Sequence, residues 1–148
     1  MSTHVYSSEL TWSGQTPSYE SYNRQHEVVV GGTTVTLSAA AAFRGDDARP
    51  NPEQLVVAAA SSCQLLSFLA VAAHAGVNVL EYRDDAMGVM PEDARPVRLT
   101  EIVLRPVIVA SGTTVEQVQR LLQKAHKQCY IANSLTAAVR LEPQIKVL

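Results

Sequence analysis

Along the first forty residues, apolar and polar side chains alternate with a period of two. Val5 to Trp12, Tyr19 to Val30 and Thr33 to Ser38 each interleave Tyr, Val or Thr with polar neighbours. That is the pattern of half-buried strands, and Gly31-Gly32 between the last two supplies the residue pair that a two-residue hairpin turn favours. A three-stranded N-terminal meander is expected. The alternation stops at Arg44-Gly-Asp-Asp-Ala-Arg-Pro-Asn-Pro52, a run of turn formers. Asn51 there is placed to cap a helix whose first position is Pro52, where a missing N–H costs nothing. From Leu55 to Ala75 the chain is apolar almost all round, which predicts a helix surrounded by other elements and ending at Gly76.

Beyond that helix, Val77 to Met90 and Val97 to Val109 are rich in β-branched residues and separated by a Pro/Asp/Glu turn, so they form a second strand group. From Thr114 the period changes. Val115, Val118, Leu121, Leu122 and Ala125 recur at helical spacing, with Thr113 or Thr114 as cap and Glu116 in the first turn. Asn133-Ser-Leu reads as a short helix or turn. Ala138 to Val147 reads as a last strand, at a sheet edge because of Pro143. No repeat, low-complexity tract or linker interrupts the chain, so residues 1–148 are expected to form a single domain. Its class is α+β: two antiparallel sheet groups packed around a central buried helix, plus a second, amphipathic helix.

Composition narrows the function. The 148 residues are 47% hydrophobic and 18% charged with a formal net charge of −2, ordinary for a soluble globular protein. Without a Lys/Arg cluster the chain lacks the electrostatic footprint of a nucleic-acid binder. Leu55 to Ala75 has the length of a membrane span, but Ser61, Ser62, Gln64, Ser67 and His74 interrupt it and no basic or aromatic anchors flank it, which favours a core helix. The opening Met-Ser-Thr-His-Val-Tyr has no basic segment followed by an apolar one. A cytoplasmic, reducing location is the expectation, where a disulfide is transient rather than structural.

The two cysteines carry the candidate chemistry. Cys63 lies inside the apolar run, and Cys129 follows the amphipathic stretch in Ala125-His-Lys-Gln-Cys129. A reacting thiol in a dry pocket with a second thiol delivered to it makes a redox enzyme the first hypothesis. A zinc site fails on spacing, since the cysteines are 66 residues apart with no Cys-x-x-Cys or paired histidines. No phosphate loop, nucleophile elbow or nucleotide fingerprint is present, so no metal and no cofactor is expected. Each residue also has a plainer reading. A lone cysteine in an apolar helix is most often core filler, Glu53 in a first helical turn favours the helix dipole, an arginine on a strand faces solvent, and His126 is a surface residue of its helix.

Several features together resemble the OsmC/Ohr family of thiol-dependent organic hydroperoxide reductases. They are Asn51-Pro-Glu53-Gln-Leu55 ten residues ahead of Cys63, the small-residue run Ala58 to Ser62, Ala125-His126 just before Cys129, and Asn133 four residues after it. The resemblance spans the whole chain and implies an OsmC-like fold and an intertwined homodimer. It implies that Cys63 is the peroxidatic cysteine, Cys129 the resolving cysteine, and Glu53 the acid that orients an arginine over the peroxide. Counting back through the hairpin makes Arg24 that arginine, with Arg44 the second candidate because it falls one position from the alternative site at Phe43. Tyr130-Ile-Ala after Cys129, and Gln64 where an aromatic residue is usual, mark a divergent branch.

The chemistry agrees with the resemblance. A thiolate in an apolar pocket needs a positive charge, an arginine supplies one that never deprotonates, and a carboxylate balances it. The sulfenic acid formed at Cys63 condenses with Cys129, and a dithiol reductant, lipoyl-type or thioredoxin, reopens the disulfide. On one helix Glu53 and Cys63 stand about 15 Å apart and about 80° around the axis, so one arginine reaches both only if a second subunit contributes. The expected function is therefore reduction of organic hydroperoxides by a homodimer. The alternative is a non-catalytic OsmC-like protein that binds an apolar small molecule in the same pocket.

Overall fold

Gly31 and Gly32 take φ of +56° and +78° in the computed structural model, which describes residues 1–148. Two successive positive φ values make the tight turn whose twist suits a hairpin. It joins β2 (His26–Val30) to β3 (Thr33–Leu37) with Val30 opposite Thr33. β1 (Glu9–Thr11) adds on the other side of β2, giving an antiparallel sheet in the order β1-β2-β3. Residues 1–55 form one unit and residues 56–148 a second.

The meander is shorter than its sequence pattern suggests. Residues 19–25 are not strand, because their polar groups are engaged locally: Arg24 donates to the carbonyls of Tyr19 and Tyr22, and the Asn23 side chain accepts from the Gln25 N–H. After β3 a single 3-10 turn (Ala41–Phe43) leads to Arg44 at φ +62°. A Cβ on Gly45 would lie 1.7 Å from the Ala39 carbonyl oxygen, so only glycine lets the chain double back here.

α1 (Pro52–His74) starts as its sequence dictates. Asn51 Oδ1 accepts from the Gln54 N–H while Gln54 Oε1 accepts from the Asn51 N–H, a reciprocal cap. It stops at Gly76, φ +71°, where Val77 N–H donates to Ala72 O and Gly76 N–H to Ala73 O. From Val56 onward α1 belongs to the second unit, where Ala60, Gln64, Phe68, Val71 and Ala72 are buried. The opposite face is not covered, with Leu66 64% and Leu69 38% exposed. Within one chain, then, α1 is a half-buried helix and not the fully surrounded one expected. By length and composition it would suffice to cross a bilayer.

The second strand group is two sheets rather than one. β4 (Asn78–Asp84), β7 (Pro106–Ser111) and β9 (Gln144–Val147) form one, and β5 (Met87–Val89), β6 (Glu101–Leu104) and β8 (Ala138–Leu141) form the other. The chain changes sheet at Arg105-Pro106. Pro106 has no N–H for a ladder, and the Arg105 N–H is taken by Asp84 Oδ1 at 2.6 Å. The expected single last strand divides likewise at Glu142-Pro143. β8 and β9 run parallel to β6 and β7 respectively, each at a sheet edge as Pro143 suggested.

α2 (Val115–Gln128) is capped by Thr114, whose Oγ1 accepts from the Gln117 N–H, and buries Val118, Leu122 and Ala125. These residues meet Phe68 and Val71 of α1 and Ile108 of β7 in one core cluster. Two polar ties add to that packing: Ser67 Oγ donates to Ala125 O, and Gln64 Nε2 to Leu122 O at a long 3.4 Å. A four-residue helix, α3 (Tyr130–Asn133), follows at once.

Candidate functional site

In the first unit, Arg24 sits two residues before β2 rather than on a strand. Its guanidinium stacks 3.7 Å from the Tyr22 ring centroid and 4.9 Å from that of Tyr19. Nη1 donates to Tyr22 O at 2.9 Å and Nη2 to Tyr19 O at 2.6 Å, so the aromatic pair and its backbone hold the cation in place. Arg24 lines a cavity of about 660 Å³ together with Leu10, Trp12, Tyr22, His26, Phe43 and Glu53. Glu53 reaches it from the first turn of α1, and no ion pair within 4.0 Å joins it to Arg24. Arg44 does not line the cavity, and its guanidinium is 6.0 Å from the Tyr19 ring. The walls are mostly apolar, with one cation and one carboxylate among them, a combination suited to an organic molecule with a polar end.

In the second unit the two cysteines meet. Cys63 lies in the middle of α1 and is partly exposed; Cys129 is 1% exposed, and both are free thiols. Cys129 occupies the junction of two helices. Its N–H donates to His126 O at the end of α2, and its carbonyl accepts from the Asn133 N–H in α3. The Asn133 side chain steadies the same turn by donating to Lys127 O. Cys63 lies close enough to Cys129 to act on its ionisation. Burial pushes the Cys129 thiol above its ordinary pKa; the N–H groups of Ala132 and Ile131 pull it down in part, and the neighbouring Cys63 adds to the rise.

Sequence reasoning passed over Tyr82 and Asp84 and saw Ser61 and Gln64 only as polar breaks in the apolar run. Ser61 Oγ donates to Asp84 Oδ2, linking the turn of α1 before Cys63 to β4. Gln64, next to Cys63 in α1, is fully buried, and Tyr82 of β4 packs on Phe68 with ring centroids 5.9 Å apart. One signal was available: Tyr82 and Asp84 are two apart in a strand and share a face. No group of three or more His, Cys, Asp or Glu side chains gathers anywhere in the chain.

The family model described as OsmC-like protein matches residues 45–144. Among solved structures, an OsmC-like protein of unknown function from Vibrio cholerae is 31% identical, with a TM-score of 0.87 over 96% of this chain and 100% of its own. An organic hydroperoxide resistance protein from Elizabethkingia anophelis is 21% identical, with a TM-score of 0.72 over 98% and 99%. Another from Bacillus subtilis is 18% identical, with a TM-score of 0.60 over 95% and 98%. At these last two identities the likeness is one of fold. No curated protein matches the sequence.

Proposed function

The chain belongs to the OsmC-like family, and from that premise we propose that it is a thiol-dependent peroxidase that reduces organic hydroperoxides to alcohols. The observation that carries the reading is the meeting of Cys63 and Cys129, the only two cysteines, across 66 residues of sequence. In the first step the Cys63 thiolate attacks the outer peroxide oxygen. The O–O bond breaks, the alkoxide takes a proton and leaves as the alcohol, and Cys63 becomes a sulfenic acid. Cys129 then attacks that sulfur. An S–S bond forms, the S–O bond breaks, and the departing hydroxide takes the Cys129 proton to leave as water. A dithiol reductant, lipoyl-type or thioredoxin, returns both thiols, and the reducing cytoplasm is the proposed location.

In this reading Arg24 and Glu53 line the wall that receives the hydroperoxide, and the protein acts as a homodimer in which they serve the Cys63 of the partner subunit. The uncovered Leu66 and Leu69 on α1 support an apolar contact between subunits. Arg24→Ala is expected to slow the reaction of Cys63 with hydroperoxide about a hundredfold, the usual cost of losing one donor to a developing oxyanion, and Arg44→Ala by less than about threefold. Stopped-flow rates with cumene hydroperoxide check this. A larger loss in the Arg44 variant would move the site to that arginine.

The apolar cavity also suits a second reading, a carrier of an apolar small molecule, and one experiment separates them. One equivalent of cumene hydroperoxide should remove both thiols of each chain through an intramolecular disulfide, while a carrier keeps them. The same assay should show cumene hydroperoxide outpacing hydrogen peroxide. Burying about 100 Å² of aryl surface gains about 2.5 kcal/mol, roughly seventyfold in rate. Equal rates would contradict an apolar substrate site.

A further inference from the structure

We propose that Trp12 is a specificity-determining residue of the cavity in the first unit: with Phe43 it forms an aromatic wall that selects a flat aryl group over a saturated group of the same skeleton. This deepens the peroxidase reading and rests on it only in taking the bound molecule to be the hydroperoxide substrate.

The chain is poor in aromatic residues, yet it gathers them here. It has one Trp, two Phe and five Tyr. Trp12, Tyr22 and Phe43 all line the cavity, and Tyr19 packs edge-on to Tyr22 with ring centroids 6.2 Å apart. The other Phe, Phe68, is fully buried in the core of the second unit. Tyr22 already carries the Arg24 guanidinium over its ring. No aromatic or cationic side chain stacks on Trp12 or Phe43, and both stay accessible, at 38% and 40%.

Trp12 is fixed without being buried. Its indole Nε1–H donates to Asn23 O at 2.7 Å. The backbone at Gly14 runs along the benzo edge, since a Cβ there would lie 2.9 Å from Cζ2 and 3.3 Å from Cη2 of the indole. A hydrogen bond at one end and backbone contact at the other hold the ring in one orientation before any ligand arrives, so binding need not order it. Asn23 is also the residue before Arg24, whose guanidinium donates to Tyr19 O and Tyr22 O. One short loop therefore places the cavity's cation and its indole together, a polar anchor beside a flat apolar surface.

An aromatic wall and an aliphatic wall differ in what they prefer. The faces of Trp and Phe carry partial negative charge and their edges partial positive charge, so an aryl guest gains by stacking offset or edge-on beyond the area it buries. A saturated ring gains only the area, and because it is the larger and more apolar of the two, a purely aliphatic wall favours it. The cavity, at about 660 Å³, has room for either. Preference for the aryl ring is thus the mark of Trp12 and Phe43.

The test needs no turnover. Trp12 is the only tryptophan, so its fluorescence reports this cavity alone. Reduced wild-type protein titrated with cumyl alcohol, the product of cumene hydroperoxide reduction, is expected to show a shift in Trp12 emission. It should bind cumyl alcohol about fivefold more tightly than the cyclohexyl counterpart in which the ring is saturated. Phe43→Leu keeps the reporter and should bring the two alcohols within about twofold. In stopped-flow rates, Trp12→Leu should slow cumene hydroperoxide about fivefold more than tert-butyl hydroperoxide. Equal slowing of both would show that Trp12 only braces the Arg24 loop and would overturn the proposal. Equal or tighter binding of the cyclohexyl alcohol would overturn it too, as would unchanged emission up to the solubility limit, which would leave the aromatic wall to a second copy of the chain. Retention of both thiols after cumene hydroperoxide, with the aryl preference as stated, would instead refute the peroxidase reading and leave this one standing.

Discussion

Cys63→Ser is expected to reduce hydroperoxide turnover to the uncatalysed background, whereas Cys129→Ser should complete one turnover and then stall. The asymmetry follows from the two environments. Cys63 is partly exposed in the middle of α1, open to a substrate, while Cys129 is 1% exposed behind it at the junction of α2 and α3. Without Cys129 the sulfenic acid has no internal thiol to condense with, so excess peroxide drives it to sulfinic acid. Mass spectrometry after stoichiometric and excess cumene hydroperoxide would show the progression from one added oxygen to two. Equal residual turnover in the two variants would refute the division of roles.

The second large effect concerns assembly. Glu53 and Cys63 lie on one continuous helix, ten residues apart, which sets them about 15 Å from each other along its axis. If Glu53 and Arg24 of one subunit serve the Cys63 of its partner, mixing Cys63→Ser with Glu53→Ala chains under subunit exchange restores activity to two individually defective proteins. Each mixed dimer then holds one intact site and one doubly altered site. Half of the dimers are mixed at equal concentrations, so about one quarter of the wild-type activity is expected. Proven exchange without recovery, or a monomer by sedimentation, would refute the shared site.

Local signals in the sequence located the elements well where the chain decides its conformation within a few residues. Asn51-Pro52 starts α1, Gly76 ends it, Gly31-Gly32 turns the hairpin and Thr114 caps α2, because each feature is a backbone requirement met by a neighbouring side chain. Period-two alternation overstated the strands around Tyr19 to Gln25, since it registers apolar spacing and not the Arg24 guanidinium that takes up two of the carbonyls. It also missed the change of sheet at Pro106, because Val97 to Val109 is β-branched on both sides of the break. For the candidate site, the two cysteines stood out by type and context. Their meeting was a hypothesis raised from those contexts and implied by the family resemblance; no local pattern encodes it, since it depends on the packing of α1 against α2. Tyr82 and Asp84 escaped notice because a half-buried Tyr or Asp looks ordinary until its partners are counted, and Gln64 was read only as a polar break in the apolar run and a mark of divergence.

The way β8 and β9 divide between two sheets bears on how the second unit is made. Each strand pairs in parallel with a partner 37 residues earlier, Glu101 with Ala138 and Val107 with Gln144. Neither three-stranded sheet is complete until residues 138–147 have emerged from the ribosome. During synthesis β6 and β7 wait with one edge open, and ordering both depends on a single short segment of which Glu142-Pro143 is the pivot. Early termination upstream of Ala138 would therefore leave two unpaired strand edges at once, a species suited to intermolecular pairing. A chaperone or protease that surveys nascent chains would find its target there, in the interval before residues 138–147 arrive.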